Sequence, residues 1–564
     1  METADGPGLI TLNGFNGHGT FRGCRENCDL PCRHKPNKPA HYPAMKKPHN
    51  YNIPNCNHPD VDPATIQPQT EADYYARLTK VLLSTTNASY SRARRSTGIS
   101  KPSIFDGLPR EHRCAIPDLF PSDLMHWASL NWTELMLGLF HGTLNCDADD
   151  SKDDWPWMKL VGKVWEEHGK TVEDTTPYLP GSFDRPPRNP AEKMSSGYKA
   201  WEYLLYVVGL APALYKRILP PKYWGHFCMG VKIIRIFHQR TISRNQLLEA
   251  HELALKWVVE FEDLYYQRMT ARLHFVRQSV HRMIHLAPEV LRFGPQGYYS
   301  QWTMERTIGN IGEEIKQPSN PYTNASERAV TRCTMNALFA MDPSLDTSKK
   351  ENTLPRYSVD VGNGYALLRR RDRYNVTISE PYASGILEHL CLQPRILKLK
   401  RWARLRLPNG QIARSHFSDD NTAKRKLRCS RVVKVAIYDI DYYFEGPERQ
   451  AYAMGSLFLP PDKDLLRQSH GAVWSSPGIG ETHVFHVYQI VSVVAMVPWD
   501  KGYKLEEADS DFMELGPDSD SELQSRDRDY FLVEKPGLSM AVMSGFEEED
   551  TRDYKNEFQD VDDE

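Results

Sequence analysis

The chain has 564 residues, enough for two or three domains with sizeable cores, and 11% of them are aromatic. Its formal net charge of −3 indicates neither a general nucleic-acid binder nor an acidic scaffold. A mean hydropathy of −0.58 and the lack of any apolar run of about 18 residues exclude a membrane span, and the N-terminal sequence does not predict secretion.

Residues 1–70 are rich in Gly, Pro, Asn, Cys and His, which predicts loops held together by something other than an apolar core. Four of the ten cysteines fall between Cys24 and Cys56. Zn²⁺ takes four nitrogen or sulfur ligands, commonly as two close pairs. Cys24 with Cys28 and Cys56 with His58 form two such pairs, so one structural zinc ion is expected here. Free thiols are the alternative; Cys32 and His34 are substitute ligands, and His41 and His49 lie in the same segment.

Residues 71–345 are predicted to be mainly helical. Ser243 and Gln246 form a capping-box pattern, and apolar residues follow at helical spacing up to Tyr266. The segment 177–190 is a loop, because its prolines fit neither a helix nor the interior of a sheet. Further along, a predicted helix carries three histidines on one face. These histidines are His274, His281 and His285. Their spacing permits metal binding, but flanking arginines and apolar residues favour a packing or phosphate-facing role.

Residues 346–394 are expected to be a linker, and residues 395–545 a separate β domain. Apolar and polar residues alternate around Trp402, and Pro-Asn-Gly at 408–410 predicts a hairpin turn. Runs rich in Val, Ile and Tyr follow at 432–444, 451–459 and 483–497. An acidic loop at 506–522 and an acidic tail at 546–564 are predicted to be disordered. The fold class is therefore α+β.

Basic residues cluster at the start of this β domain, notably Arg401, Arg404 and Arg406. Arginines at alternate positions of a strand suit contacts with backbone phosphates, which dominate the affinity of proteins for DNA. A charged face in contact with solvent explains the same pattern equally well.

Three further motifs are weak when each is taken alone. Asp5 precedes Gly-Pro, as turn residues commonly do. Asp123 begins an Asp-Leu-Met-His motif that ends at His126, and it precedes an apolar stretch, so a helix N-cap is the plain interpretation. Glu305, followed by Arg306, fits an exposed helix position.

The order of these motifs resembles the CACTA (En/Spm-like) cut-and-paste transposases, in particular their fungal, basidiomycete-type branch. The resemblance runs from about residue 3 to 545. It is carried by longer strings: C-R-E-N-C, R-H-K-P, K-P-S-I-F, P-Y-L-P-G-S-F-D-R-P-P-R-N-P-A-E-K, L-H-F-V-R-Q-S-V-H and Q-W-T-M-E-R-T-I-G-N.

This resemblance implies a partial RNase H-like core with a large helical insertion, spread over residues 1–70 and 71–345. It implies a catalytic set of Asp5, Asp123, His126 and Glu305, with Asp5 and Glu305 binding the Mg²⁺ or Mn²⁺ ions of a two-metal phosphodiester reaction. A third, earlier carboxylate and the first strands of the core are implied to lie before Met1, so the chain is expected to be truncated and incomplete as an enzyme.

The implied partner is DNA, in the form of transposon terminal repeats; a homo-oligomer and a nuclear location are also implied. Two function classes stay open. One is a DNA transposase, and the other is a non-catalytic nuclear DNA-binding or interaction protein derived from a transposase.

Overall fold

The computed structural model describes residues 6–24, 26, 28–183, 185–315, 319–346, 354–419, 428–499 and 529–535. These residues form two compact units. The first contains the described residues up to 300 together with 458–480 and 494–535, and the second contains the described residues within 301–457 and 481–493. Asp5 and both acidic segments lie outside the described residues. Within the described ranges, no helix has both the length and the apolar character needed to cross a membrane.

The helices are concentrated in the first unit. In chain order they are α1 (Gly6–Asn13), α2 (Glu71–Leu82), α3 (Asn87–Thr97), α4 (Thr133–His141), α5 (Gly162–Asp174), α6 (Pro190–Lys193), α7 (Ala200–Tyr203), α8 (Ala211–Leu214), α9 (Pro221–Phe237), α10 (Arg244–Phe261), α11 (Gln278–His281), α12 (Leu286–Phe293), α13 (Trp302–Glu314), α14 (Pro321–Met341), α15 (Tyr382–His389), α16 (His416–Asp419) and α17 (Lys463–Gln468). Stretches of π-helix precede α4 at Met125–Trp132 and follow α10 at Glu262–Tyr266.

Helix α10 begins where its sequence predicts. The Ser243 hydroxyl accepts a hydrogen bond from the backbone N–H of Gln246, and the Gln246 side chain accepts one from the backbone N–H of Ser243. Its buried face contains Leu247, Ala250, Ala254, Trp257, Val258 and Phe261. The predicted helix is confirmed, and its aromatic residues pack against α9 in the core of the first unit.

The strands are β1 (Arg33–His34), β2 (His41–Tyr42), β3 (Val359–Gly362), β4 (Tyr365–Arg371), β5 (Val376–Thr377), β6 (Lys398–Leu399), β7 (Arg401–Arg406), β8 (Ile412–Ala413), β9 (Val432–Lys434), β10 (Ile437–Glu445), β11 (Ala451–Phe458), β12 (Ser475–Ser476), β13 (Ile479–His486), β14 (Ser492–Val493), β15 (Ala495–Trp499) and β16 (Asp529–Val533). Strands β12, β16 and β15 form a small sheet in the first unit. Among the described residues before 300, the strands are β1 and β2. The α+β class is confirmed, and the RNase H-like core stays a prediction.

The second unit is built on a nine-stranded sheet, with the order β13-β11-β10-β7-β4-β3 and with β8, β9 and β14 attached. Apolar side chains cover both of its faces. Along β10, Tyr443 joins one buried cluster, while Tyr442 and Phe444 join another, as alternation along a strand requires. The predicted hairpin at 408–410 is confirmed, because β7 pairs with β8 across it.

The segment 346–394, expected to be a linker, contains structured elements. Strand β4 pairs antiparallel with β7, placing Leu367 opposite Leu405, and both side chains are fully buried. The sheet therefore begins well before residue 395. The apolar part of β4 is short and is followed by a run of arginines, so the sequence pattern does not predict a buried strand there.

One close approach of a helix to its neighbours is testable. A Cβ atom at Gly230 in α9 would lie 2.6 Å from a ring carbon of Trp132 and 2.9 Å from the indole nitrogen of Trp257. We expect Gly230→Ala to lower the free energy of unfolding by about 1–3 kcal/mol through overpacking. Gly225→Ala in the same helix, where the nearest atom is 3.8 Å away, should instead be stabilising by up to about 1 kcal/mol. Denaturant unfolding followed by tryptophan fluorescence compares the two; equal effects would contradict the packing argument.

Candidate metal centre

Four potential metal ligands converge in the first unit from two distant parts of the chain. Cys24 and Cys28 lie in the loop before β1, His281 ends α11, and His285 ends the 3-10 turn that joins α11 to α12. All four side chains are buried, and their ligand atoms lie within 4.8 Å of one another. His281 and His285 are four positions apart on one helical stretch, so their rings lie on the same side of it.

The distances fit a tetrahedral zinc site. The Nε2 atom of His285 lies 3.5 Å from Cys24 Sγ, the Nε2 atom of His281 lies 3.3 Å from Cys28 Sγ, and the two Nε2 atoms are 3.0 Å apart. A tetrahedron with ordinary Zn–S and Zn–N bonds has S···N edges of about 3.5 Å and an N···N edge of about 3.3 Å. The four atoms are therefore placed nearly as a bound zinc ion would require.

The electrostatics of the cluster favour a thiolate at Cys24. Burial raises the pKa of Cys24, but the Cys28 thiol and the two histidines outweigh it and hold that pKa well below its ordinary value. Burial lowers the pKa of His285, but the Glu26 carboxylate and Cys24 overcome it and raise the pKa to about 9. A bound zinc ion would take the place of protons in this cluster, since its ligands are thiolates and neutral imidazole rings.

The buried Glu26 carboxylate lies beside the ring nitrogen of His285 that does not face the cluster. Glu26 Oε2 lies 3.5 Å from His285 Nδ1 and 3.4 Å from the Arg292 guanidinium. A metal-bound histidine usually gives its second ring nitrogen to such an acceptor, which fixes the ring and its tautomer. The Glu26 side chain therefore suits a supporting role in a Cys₂His₂ centre.

A small pocket of about 40 Å³ opens beside three of the ligands, and Asp123, His126 and Arg282 line it as well. The Asp123 carboxylate accepts hydrogen bonds from the backbone N–H groups of Met125 and His126 and contacts the His126 ring. Its side chain is 2% exposed. Asp123 therefore caps the helix that follows it, in agreement with the plain interpretation of its sequence context.

The structure differs from the predicted zinc ligands. It keeps Cys24 and Cys28 but pairs them with His281 and His285, while Cys56 belongs to a different group with His34 and His41. The physical reason is the Arg33 side chain, whose guanidinium donates hydrogen bonds to the carbonyls of Cys56 and His58 and so holds this turn beside β1. Cys32 is buried but belongs to neither group. His49 is exposed.

The histidine prediction also changes. His281 and His285 converge on thiols instead of packing or facing phosphate. The neighbouring Arg282 lies 3.7 Å from Glu289. His274 lies apart from them in a separate 3-10 helix, where Lys35 and the Asn145 carbonyl contact its ring. The four-residue spacing of His281 and His285 was the sequence signal that pointed to the missing half of the site.

The remaining predicted residues lie elsewhere. Glu305 is exposed on α13, in the second unit, and Asp5 lies outside the described residues. On β7, Arg404 is 4% exposed and donates to the Arg369 carbonyl, while Arg401 pairs with Asp372 at 2.9 Å. Arg406 is half-buried. The structure therefore does not present the three arginines as one exposed row.

No protein-family model matches the chain, and no curated protein matches it.

We expect the purified protein to bind zinc at the Cys₂His₂ group. The double variant Cys24→Ser, Cys28→Ser should lose one equivalent of zinc relative to the unchanged chain, because serine is a poor zinc ligand. Cys32→Ser is the matched control, a buried thiol of the same segment outside the group, and should lose none. Metal analysis after dialysis measures both; a zinc content that the double variant leaves unchanged would remove the site.

Proposed function

We propose that this chain is a transposase-like DNA-binding protein, related to the DDE cut-and-paste transposases, with a first unit stabilised by structural zinc. One observation carries the proposal. The strings C-R-E-N-C and L-H-F-V-R-Q-S-V-H, both part of the resemblance to CACTA transposases, supply Cys24, Cys28 and His281 to a single cluster. Two motifs separated by some 250 positions thus contribute ligand atoms to the same cluster. The RNase H-like relationship and the nuclear location belong to the same proposal and rest on the motif order.

Exposed basic residues of the second unit support the DNA-binding part. Arg371 ends β4, and Arg373 lies two residues beyond it. Lys398 on β6 lies close in sequence to Arg401, whose carbonyl accepts from the Asp372 N–H. Arg371, Arg373 and Lys398 are all exposed. Their exposure supports contact with a phosphate backbone, whereas Arg404 is buried in the sheet.

An aromatic ring accompanies this basic patch, which we define as Arg371, Arg373 and Lys398. The Arg373 guanidinium lies 5.3 Å from the centre of the Tyr374 ring, and Tyr374 is 68% exposed. Exposed rings beside cationic side chains suit stacking on unpaired bases as well as contact with phosphates. The patch therefore favours a nucleic acid over a purely acidic protein.

Binding to duplex DNA should weaken steeply with salt, with the logarithm of the association constant falling by about 0.9 for each phosphate neutralised per unit of log salt. Reversing Arg371 and Arg373 to Glu should lower affinity at every sequence and flatten that slope by roughly two phosphate contacts. The double variant Arg306→Glu, Arg328→Glu, at two exposed arginines of α13 and α14, is the charge-matched control. Fluorescence anisotropy titrations at several salt concentrations measure the slopes; equal losses in both variants would indicate a general charge effect and contradict the patch.

The proposal excludes DNA cleavage by this chain. A two-metal reaction needs several carboxylates whose lone pairs are open to Mg²⁺ or Mn²⁺. The Asp123 carboxylate already accepts two backbone hydrogen bonds and contacts His126, which favours a structural role. Asp5 and Glu305 remain as the proposed metal ligands, and they form a partial set.

We therefore expect no strand cleavage of DNA carrying transposon terminal repeats in Mg²⁺ or Mn²⁺, and no difference between the unchanged chain and Glu305→Gln. Gel analysis of end-labelled duplexes measures this. Cleavage that Glu305→Gln abolishes and that Glu313→Gln, a second acidic residue of α13, leaves intact would replace the proposal by an active transposase.

A further inference from the structure

A second cluster of ligand atoms lies around the shortest sheet of the protein. Strands β1 and β2 have two residues each, and His34 pairs directly with His41 across them. Residues paired in this way project their side chains from the same face of the ladder. The two imidazole rings accordingly lie with their centres 4.8 Å apart.

Arg33 fixes the third member of the cluster. Its side chain is fully buried and donates to five backbone carbonyls, those of Ala44, Met45, Cys56, His58 and Pro59, at 2.9–3.2 Å. These bonds hold the turn that contains Cys56 against β1. Cys56 is completely buried, and its Sγ lies within 4.8 Å of a ring nitrogen of both His34 and His41.

The histidines have the tautomers that metal ligands need. The Nδ1–H of His34 donates to the Lys35 carbonyl at 2.8 Å, and the Nδ1–H of His41 donates to the Pro39 carbonyl at 2.9 Å. Each ring therefore carries its lone pair on Nε2. The Nε2 atom of His41 is buried and has no hydrogen-bond partner. Nδ1 bonded to a carbonyl, with Nε2 directed at the metal, is the usual arrangement of a zinc-bound histidine.

We propose that His34, His41 and Cys56 bind a second zinc ion, separate from the Cys₂His₂ centre. The two ligand groups share no residue. A ladder of two residue pairs is too small to be stable alone, and a metal bound across it would supply the missing stabilisation. The proposal is independent of the DNA-binding function, since it concerns the first unit alone.

An alternative partner for Cys56 is the Arg95 side chain, whose positive charge opposes the rise that burial causes in the pKa of the Cys56 thiol. An arginine–thiolate pair would satisfy Cys56, but it would leave the buried Nε2 of His41 without a partner. A buried lone pair of this kind costs free energy unless something binds it. A divalent cation satisfies both groups, and an arginine satisfies one.

The test uses the full chain loaded with Zn²⁺ or with Co²⁺, whose absorption reports thiolate ligands. We expect two equivalents of metal in the unchanged protein, one for each group. His41→Gln and Cys56→Ser should each lose one equivalent while the Cys24–Cys28 site stays loaded. In the Co²⁺ form, Cys56→Ser should remove about one third of the thiolate-to-metal absorption, because Cys56 supplies one of three thiolates in the two groups.

Two matched controls keep the result specific. His49→Gln removes an exposed histidine of the same segment, and Cys32→Ser removes a buried thiol that belongs to neither group; both should keep two equivalents. His41 is half-buried, so its variant decides the matter if Cys56→Ser fails to fold, as judged by circular dichroism. One equivalent in the unchanged chain, or two equivalents in His41→Gln, would overturn the proposal.

Discussion

The meeting of Cys24 and Cys28 with His281 and His285 is the constraint on which the organisation of the first unit depends. The paired ligands are 253 and 261 positions apart, so a metal bound between them closes almost the whole unit into one loop. Loop-closure entropy rises only slowly with length, at roughly 0.6 kcal/mol for each doubling. A link between distant residues is thus little more costly to form than a local one, and it restricts the unfolded chain more by the same modest amount.

Hydrogen bonds between buried charged side chains and the backbone hold the N-terminal segment in place, as apolar packing does elsewhere in the first unit. The Glu262 carboxylate, just beyond α10, accepts hydrogen bonds from the backbone N–H groups of Met45 and Lys46 at 2.8 Å. Burial raises the pKa of Glu262 to about 7, and these N–H groups and the nearby cations oppose that rise. Together with Arg33, which gathers five carbonyls, this carboxylate satisfies backbone groups that loops would otherwise leave to water. Replacing a buried charged side chain of this kind is costly, because its former hydrogen-bond partners are left buried and unsatisfied.

Local features were predictable from the sequence because neighbouring residues determine them. The start of α10 follows from Ser243 and Gln246, and the turn between β7 and β8 follows from Pro-Asn-Gly. The metal centre was half predictable: Cys24 and Cys28 are a local pair, and zinc as the expected metal fits their partners. Those partners, His281 and His285, lie on a helical stretch more than 250 positions away. The spacing of Cys56 and His58 is compatible with zinc binding, so the sequence alone could not exclude them as the partners of Cys24 and Cys28. The deciding factor, the side chain of Arg33, acts only in the folded chain.

The arginines of β7 also show what the sequence alone could not predict, in this case the exposure of side chains in a sheet. Alternation along a strand says which residues share a face, but it does not say whether that face meets solvent. In the second unit both faces of the sheet are covered, so Arg404 is buried and its guanidinium donates to a carbonyl of β4. Positive charge reaches the surface where β4 ends, at Arg371 and Arg373, since a strand end is exposed even when its sheet is not. Electrostatic attraction to phosphate depends on accessible charge, and in this fold the strand ends supply it.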